Sequence, residues 1–467
     1  MKRFGILALA VAMLLASVAL AQAEVVVKAR GQFRVRAMWQ NNPGLDKVEG
    51  GYDADDFNVD QRVRLDFRFV ANENLEGVFY MEYGDVNWGS GTDTKMRLHD
   101  RSVAIEVRRA YISWRWPDTD VLFNIGMQNI ALPSAYSGSW ILNDDVAAAT
   151  VSTPITDMIA VTAGYARPYN YENDGAAHAD QIDLGFLAVP ITPEGITFTP
   201  WFMYGYAGSN ATGSGQVPGR MQSGLFGVNN TDAGTEGFNM YWAGAALTVD
   251  MFDPIVVMAD FNWGQKTSSK DWLRRSGWFT DFAVKYTGLD FVTPSLVFAY
   301  GSGEDDDPDN GSERMPGLGY DGGWSVGTHF FGNDPLGNDI GDQAEMGFWT
   351  IGLQLEDMTF IDKLSHSLYF VYAQGTNDHG LVEDNYKANQ DYGTLGGIKY
   401  GRTLFDKDNL YEIDFNHKYQ IYEQLAAILE LNWTYISYDD DTWEKINPSY
   451  GGVEQYWGCT LGMLYNF

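Results

Sequence analysis

Apolar and polar residues alternate one by one along most of the chain. Val25, Val27, Ala29, Gly31, Phe33, Val35, Ala37 and Trp39 alternate with Lys28, Arg30, Gln32, Arg34 and Arg36. Phe57, Val59, Val63, Leu65, Phe67 and Phe69 alternate with Asn58, Asp60, Arg62, Arg64, Asp66 and Arg68. A strand sends successive side chains to opposite faces, so each segment has one apolar face and one charged face. Strands of soluble sandwiches commonly run about 5–6 residues. These run longer, and a tilted bilayer crossing needs roughly 9–11. The same alternation recurs within 77–83, 110–116, 121–127, 146–154, 159–165, 182–188, 198–206, 241–249, 255–263, 278–286, 296–300, 349–355, 368–372, 411–415, 429–435 and 454–467. The pattern predicts eighteen strands, with sixteen as the alternative count and 393–405 as room for a further hairpin.

The connections also alternate. Pro117–Asp120, Thr156-Asp157, Asp250–Pro254 and Thr287–Asp290 read as tight turns, and 41–56, 129–145, 207–238, 301–345 and 376–409 as long polar loops. In the final segment Trp457, Cys459, Leu461, Met463, Tyr465 and Phe467 share one apolar face, matching the outward parity of Phe33 and Trp39. An unpaired terminal strand exposes a row of backbone donors and acceptors, and pairing it with the first strand removes that edge. The expected fold is all-β: a single transmembrane antiparallel β-barrel with an apolar outside, a charged inside, short turns on one rim and long loops on the other. A soluble secreted β-solenoid or sandwich, with the apolar face as a buried core, is the alternative; a solenoid would show a fixed repeat, and none is visible.

The first residues change the compartment rather than the fold. Lys2 and Arg3, an apolar run from Gly5 to Leu20, and Ala21-Gln22-Ala23 form a secretory leader with its cleavage site, so 1–23 is read as a signal peptide and 24–467 as the barrel. Lys2 and Arg3 leave with it, and the other 29 of the 31 basic residues face 62 acidic ones. That charge argues against a nucleic-acid partner, whose phosphates it repels. A lone Cys459 excludes an internal disulfide and cysteine-rich metal sites. No nucleophile elbow, phosphate loop or zinc signature is present, and His178, His329, His366 and His379 read as solvated residues. The chain is therefore read as a non-enzyme without a cofactor.

Two features carry candidate chemistry. Fourteen basic residues fall between Lys28 and Arg115, and Arg34, Arg62, Arg64 and Arg109 stand on the polar faces of their strands. Such a ladder sets ion preference in a narrow pore, or braces the wall by pairing with Asp60, Asp66 and Glu82. The loop after the fifth strand, Gln128–Asp145, carries Ile130, Leu132, Tyr136, Trp140, Ile141 and Leu142 ahead of Asp144 and Asp145. Its apolar residues suit a loop folded into the barrel, or one resting on the rim or on a neighbouring subunit.

A leader, a terminal Phe467 with Tyr465 on an apolar face, and a long third loop after strand five together resemble general trimeric porins. The arrangement is similar to the homotrimeric outer-membrane porins of sulfate-reducing bacteria. The resemblance implies a Gram-negative outer-membrane location and passive diffusion of small hydrophilic solutes and ions. It also implies assembly by the barrel-assembly machinery with Phe467 and Tyr465 as the signal, and contact with lipopolysaccharide. By the same likeness Asp144 and Asp145 face Arg34, Arg62, Arg64 and Arg109 across a constriction. A substrate-specific channel with Tyr136, Trp140 or Trp201 as an aromatic track is the alternative, and a barrel hydrolase a third. Gly126-Met127-Gln128 departs from the Gly-Arg-Gln seen in many such porins. Finally, Asp305, Asp307 and Asp309 have the alternation of a calcium loop, but Gly311 falls one place late and Pro316 stands where the bidentate glutamate belongs. That loop reads as a solvated outer segment, with Ca2+ as the alternative.

Overall fold

A computed structural model describes residues 25–42, 56–89, 96, 105–170, 180–213, 236–307, 310–320, 326–327, 347–382, 403–446 and 455–467. The leader, most of 393–405, His178, His329 and Asp309 lie outside the described residues. Eighteen long strands follow the alternating segments: β1 Val26–Asn41, β2 Asp56–Asn72, β3 Leu75–Asn87, β4 Ile105–Arg115, β5 Leu122–Ala131, β6 Leu142–Pro154, β7 Ala160–Asn170, β8 Gln181–Ala188, β9 Ile196–Ala207, β10 Phe238–Phe252, β11 Ile255–Lys266, β12 Arg275–Tyr286, β13 Thr293–Gly301, β14 Phe348–Ile361, β15 Leu364–Gly375, β16 Asn409–Tyr422, β17 Leu425–Ser437 and β18 Gln455–Asn466. Each pairs antiparallel with its chain neighbours, and β18 pairs with β1, so the sheet closes.

The seam is built from residues at the two ends. Gln32 through Asn41 of β1 face Asn466 through Trp457 of β18 in unbroken register. The Gly31 N–H donates to the Phe467 carbonyl at 2.9 Å, and the Phe467 N–H to the Gly31 carbonyl at 3.0 Å. A Cβ on Gly31 would stand 2.6 Å from the Phe467 ring, so glycine is what lets that ring lie over the seam. Phe33 meets the rings of Tyr465 and Phe467 at 6.2 and 6.0 Å.

The two faces of every strand meet different solvents. Phe33, Trp39, Ile112, Ile125, Phe282, Phe298, Ile351, Trp433 and Leu461 are exposed on the outside. Asp60, Asp66, Glu82, Asp260, Asp281, Glu412, Asp414 and Glu430 are buried on the inside. This inverts a soluble protein, and an apolar band of this extent is stable in lipid rather than water. Among the described residues no helix is long and apolar enough to cross a membrane. Glu73-Asn74, Asp253-Pro254, Asp362-Lys363 and Glu423-Gln424 close hairpins on one rim, the rim of both barrel termini. The long connections share the other. Part of them turns inward: Ile130, Leu132, Trp140, Ile141, Met315, Leu318 and Val326 join wall residues Met240, Trp242, Phe279 and Phe348 in one buried cluster.

Candidate functional site

The first four strands form a basic wall. Arg34 and Arg62 are register partners across β1 and β2. Arg34 lies 3.6 Å from Asp60, which also binds Arg36 at 2.7 Å. Arg30 binds Asp66 at 2.7 Å, and Arg68 binds Glu76 at 3.0 Å. Arg64 binds Glu82 at 2.5 Å. A register shift between Tyr80 and Met81 of β3 leaves Arg108 as an extra residue in β4. Arg108 bridges Glu82 at 3.2 Å and Asp145 at 2.8 Å, and Arg109 reaches the other Asp145 oxygen at 2.7 Å. Arg109 also lies over the Tyr80 ring. Seven arginines thus share five carboxylates, which leaves the wall positive. Toward the hairpin rim it opens into a recess of about 380 Å³ lined by Arg30, Arg64, Arg68, Arg109, Tyr80 and Tyr111.

The connection between β5 and β6 crosses toward the far wall. It is shorter than its sequence suggests, because Ala131 still pairs with Asn143 and the Leu132 N–H donates to the Leu142 carbonyl. Ile130 and Leu142 point into the buried cluster, which keeps the ladder going at both ends. The free segment is therefore Leu132–Ile141, and Asp144 and Asp145 stand in β6 rather than in the loop. Its tip docks on Asp260 of β11: the backbone N–H groups of Ala135 and Tyr136 donate at 2.7 and 3.0 Å, and the Ser134 hydroxyl at 2.8 Å. Bonds to a buried carboxylate are among the stronger ones a protein makes. Gln354 of β14 donates to the Tyr136 hydroxyl at 2.7 Å, and burial pushes that hydroxyl's pKa up, which keeps it neutral. Trp140 packs 5.1 Å from Phe279 and 6.2 Å from Phe348. Trp140 and Trp201 are 4% and 5% exposed, so they anchor the interior instead of lining a track.

The connection after β13 braces the same wall from above. Glu304 and Arg314, both fully buried, bind at 2.5 Å. Arg275 of β12 donates to the carbonyls of Arg314 and Met315 at 2.9 and 2.8 Å, and Trp242 to that of Pro316 at 2.8 Å. Gly277 makes room: a Cβ there would stand 2.2 Å from the Glu313 carbonyl. Farther along, Gly319-Tyr320 adds a short parallel pairing with Leu142-Asn143, and Gln354 donates to the Val326 carbonyl.

Of the residues singled out in the sequence, the fold joins Arg109 to Asp145, places Arg34 against Arg62 in register, and ties Arg64 to Glu82. Asp144 accepts the Asp145 N–H at 2.7 Å. The Asp305 carboxylate accepts the Asp307 N–H at 3.0 Å and the Asn310 amide at 2.9 Å. His366 faces His417, and His379 faces Asp406. Asp260, Gln354, Arg275 and the Glu304–Arg314 pair were not singled out. For the three strand residues the available signal was inward parity: Asp260 stands out of phase with Ala259 and Phe261, as a lumen residue must, whereas Glu304 and Arg314 lie in a connection read as solvated.

These features define a class, the closed eighteen-stranded antiparallel β-barrel, with an inward-folded connection after β5. No protein-family profile matches the chain, and no curated protein matches it in sequence. Solved structures match its fold. OccAB4 of Acinetobacter baumannii superposes with a TM-score of 0.55 at 10% identity, covering 95% of this chain and 99% of that one. The outer membrane protein OprD of Pseudomonas aeruginosa superposes with a TM-score of 0.51 at 12% identity, covering 96% of each chain. OpdQ of the same organism gives 0.51 at 11%, covering 94% and 98%.

Proposed function

We propose that this barrel is an outer-membrane porin of a Gram-negative bacterium, a passive diffusion channel for small hydrophilic solutes and ions. The docking of Leu132–Ile141 on Asp260, across the lumen from the arginines, carries the reading. A loop held there narrows the passage at the level of a positive wall. Fixed charge at a constriction sets ion preference. Arg34, Arg62, Arg64 and Arg109 supply the field, with Asp145 offsetting part of it. The channel therefore favours small anions despite its acidic composition. Planar-bilayer reversal potentials in a salt gradient test this. Anion preference that falls in Arg62→Ala and Arg64→Ala is expected, and cation preference unchanged by either substitution overturns it.

The fold likeness to outer-membrane proteins of Pseudomonas supports the class. Assembly as a homotrimer, the kinship to porins of sulfate-reducing bacteria, and handling of Phe467 and Tyr465 by the assembly machinery are part of the same proposal. Light scattering of the detergent-solubilised protein tests the trimer, with a protein mass three times that of one chain expected.

A further inference from the structure

A histidine and two aspartates meet at the long-loop rim, away from the arginine wall. Asp378 and His379 follow β15, and Asp406 precedes β16, so the three stand on the two stems of one long connection. Their donor atoms lie within 4.8 Å of one another. His379 Nδ1 is 2.8 Å from Asp406 Oδ1 and 3.7 Å from Asp378 Oδ1. Ligands held about 2.0–2.2 Å from a zinc ion stand about 3–3.5 Å apart from each other, and the two observed spacings bracket that range.

The stems are held before any ion arrives. Asn377, buried beneath the cluster, donates to the Leu404 and Gly347 carbonyls and accepts the Glu304 N–H. The Asp406 N–H donates to the Asn377 carbonyl at 2.8 Å, and the Asp378 N–H to the Glu304 carbonyl at 2.8 Å. Phe405 is fully buried against Trp443 at 5.6 Å. The three donors themselves stay partly exposed, at 24% to 45% of their side chains. A rigid base under accessible ligands is the arrangement that binds a metal without reorganising. Asp306 borders the site, since a Cβ on Gly380 would stand 3.3 Å from its Cβ.

We propose that Asp378, His379 and Asp406 bind a divalent transition ion of the zinc type, which staples the two stems of the β15–β16 connection. One imidazole and two carboxylates suit Zn2+. They do not suit Ca2+, which takes 6–8 oxygens. The Glu304–Asp306 stretch packs against the site, but none of its carboxylates is among the three ligands.

Calorimetric titration of ZnCl2 into the full-length, detergent-solubilised protein tests this. His366 and His417 form another imidazole pair, so both are alanine in the starting protein. One Zn2+ per chain is expected, with a loss of affinity of at least a hundredfold in His379→Ala and again in Asp406→Asn. Zinc should also slow hydrogen exchange at 377–382 and 403–406 without changing the barrel strands, and a tenfold excess of Ca2+ should not displace it. No zinc uptake, uptake unchanged by His379→Ala, or equal competition by Ca2+ overturns the proposal. Exchange on the strands shows whether each variant is folded, and the smaller change His379→Asn stands in if His379→Ala is not.

Discussion

Two walls of this barrel obey the same alternation and do opposite things. On β1–β4 the inward residues are arginines outnumbering the acids they pair with, and the wall stays open to solvent in places. The Arg30 side chain is 70% exposed. On β11–β16 the inward polar residues include the carboxylates Asp260, Asp281, Glu412 and Asp414 and the amides Asn262 and Gln354, set among apolar ones, and chain folds over them. Asp281 is 1% exposed and Asp414 fully buried. Asp260 holds backbone N–H groups of one loop, and Arg275 holds carbonyls of another. The difference teaches that inward parity says only that a residue faces the lumen. Whether it meets water or a loop decides whether it acts through its field or as an anchor.

The comparison breaks most decisively at the anchoring wall. Arg314→Ala leaves Glu304 as an uncompensated buried charge, and such losses cost about 3–5 kcal/mol. The segment around 302–318 should become protease-sensitive while the barrel stays folded. Next comes Asp260→Ala. Ala135, Tyr136 and Ser134 lose a charged acceptor, at roughly 1.5–3 kcal/mol for a single such bond. Single-channel recordings should show larger, noisier openings, and Asp260→Asn should fall between.

The basic wall responds more weakly and with a definite sign. Asp145→Asn releases Arg108 and Arg109 from their shared carboxylate. One charge acting over ~8 Å of water is worth ~0.5 kcal/mol, so anion preference should rise about twofold. Arg64→Ala should move it the other way. A result of the same sign from both would show that the wall acts by bracing alone.

The smallest effect is a pH dependence of the upper brace. Burial raises the Glu313 carboxyl from 4.5 to about 7. Between those values the folded segment keeps a proton that the unfolded chain has released. Its contribution is therefore present below pH 4.5 and lost as pH rises through about 7. Protection factors in 302–318, corrected for the intrinsic pH dependence of amide exchange, should be higher at pH 5 than at pH 8, with that difference gone in Glu313→Gln.

The strands were legible because the outer face stays apolar along every one of them, while the inward face differs in being polar or small on most. All eighteen fall where the alternation lies, even the weaker Val146–Pro154 segment, whose outward residues include Ala147 and Ala149. The interior contacts were not legible. The Asp260 carboxylate meets an N–H 125 residues earlier in the chain, and no local pattern records such a meeting. Asp144 and Asp145 read as loop acids because Asn143 and its neighbours look polar. Leu142, turned inward, had already restarted the strand. The arginines were legible as a group, but their partners depended on the β3–β4 register shift, which alternation alone does not reveal.

The seam between Gly31 and Phe467 sets the timetable of assembly. Residues more than four hundred positions apart must meet before the ring exists. Until then every intermediate carries two raw strand edges, each able to pair with the wrong chain. A helical protein can settle turn by turn, but here the final hydrogen bonds are also the ones that remove the hazard.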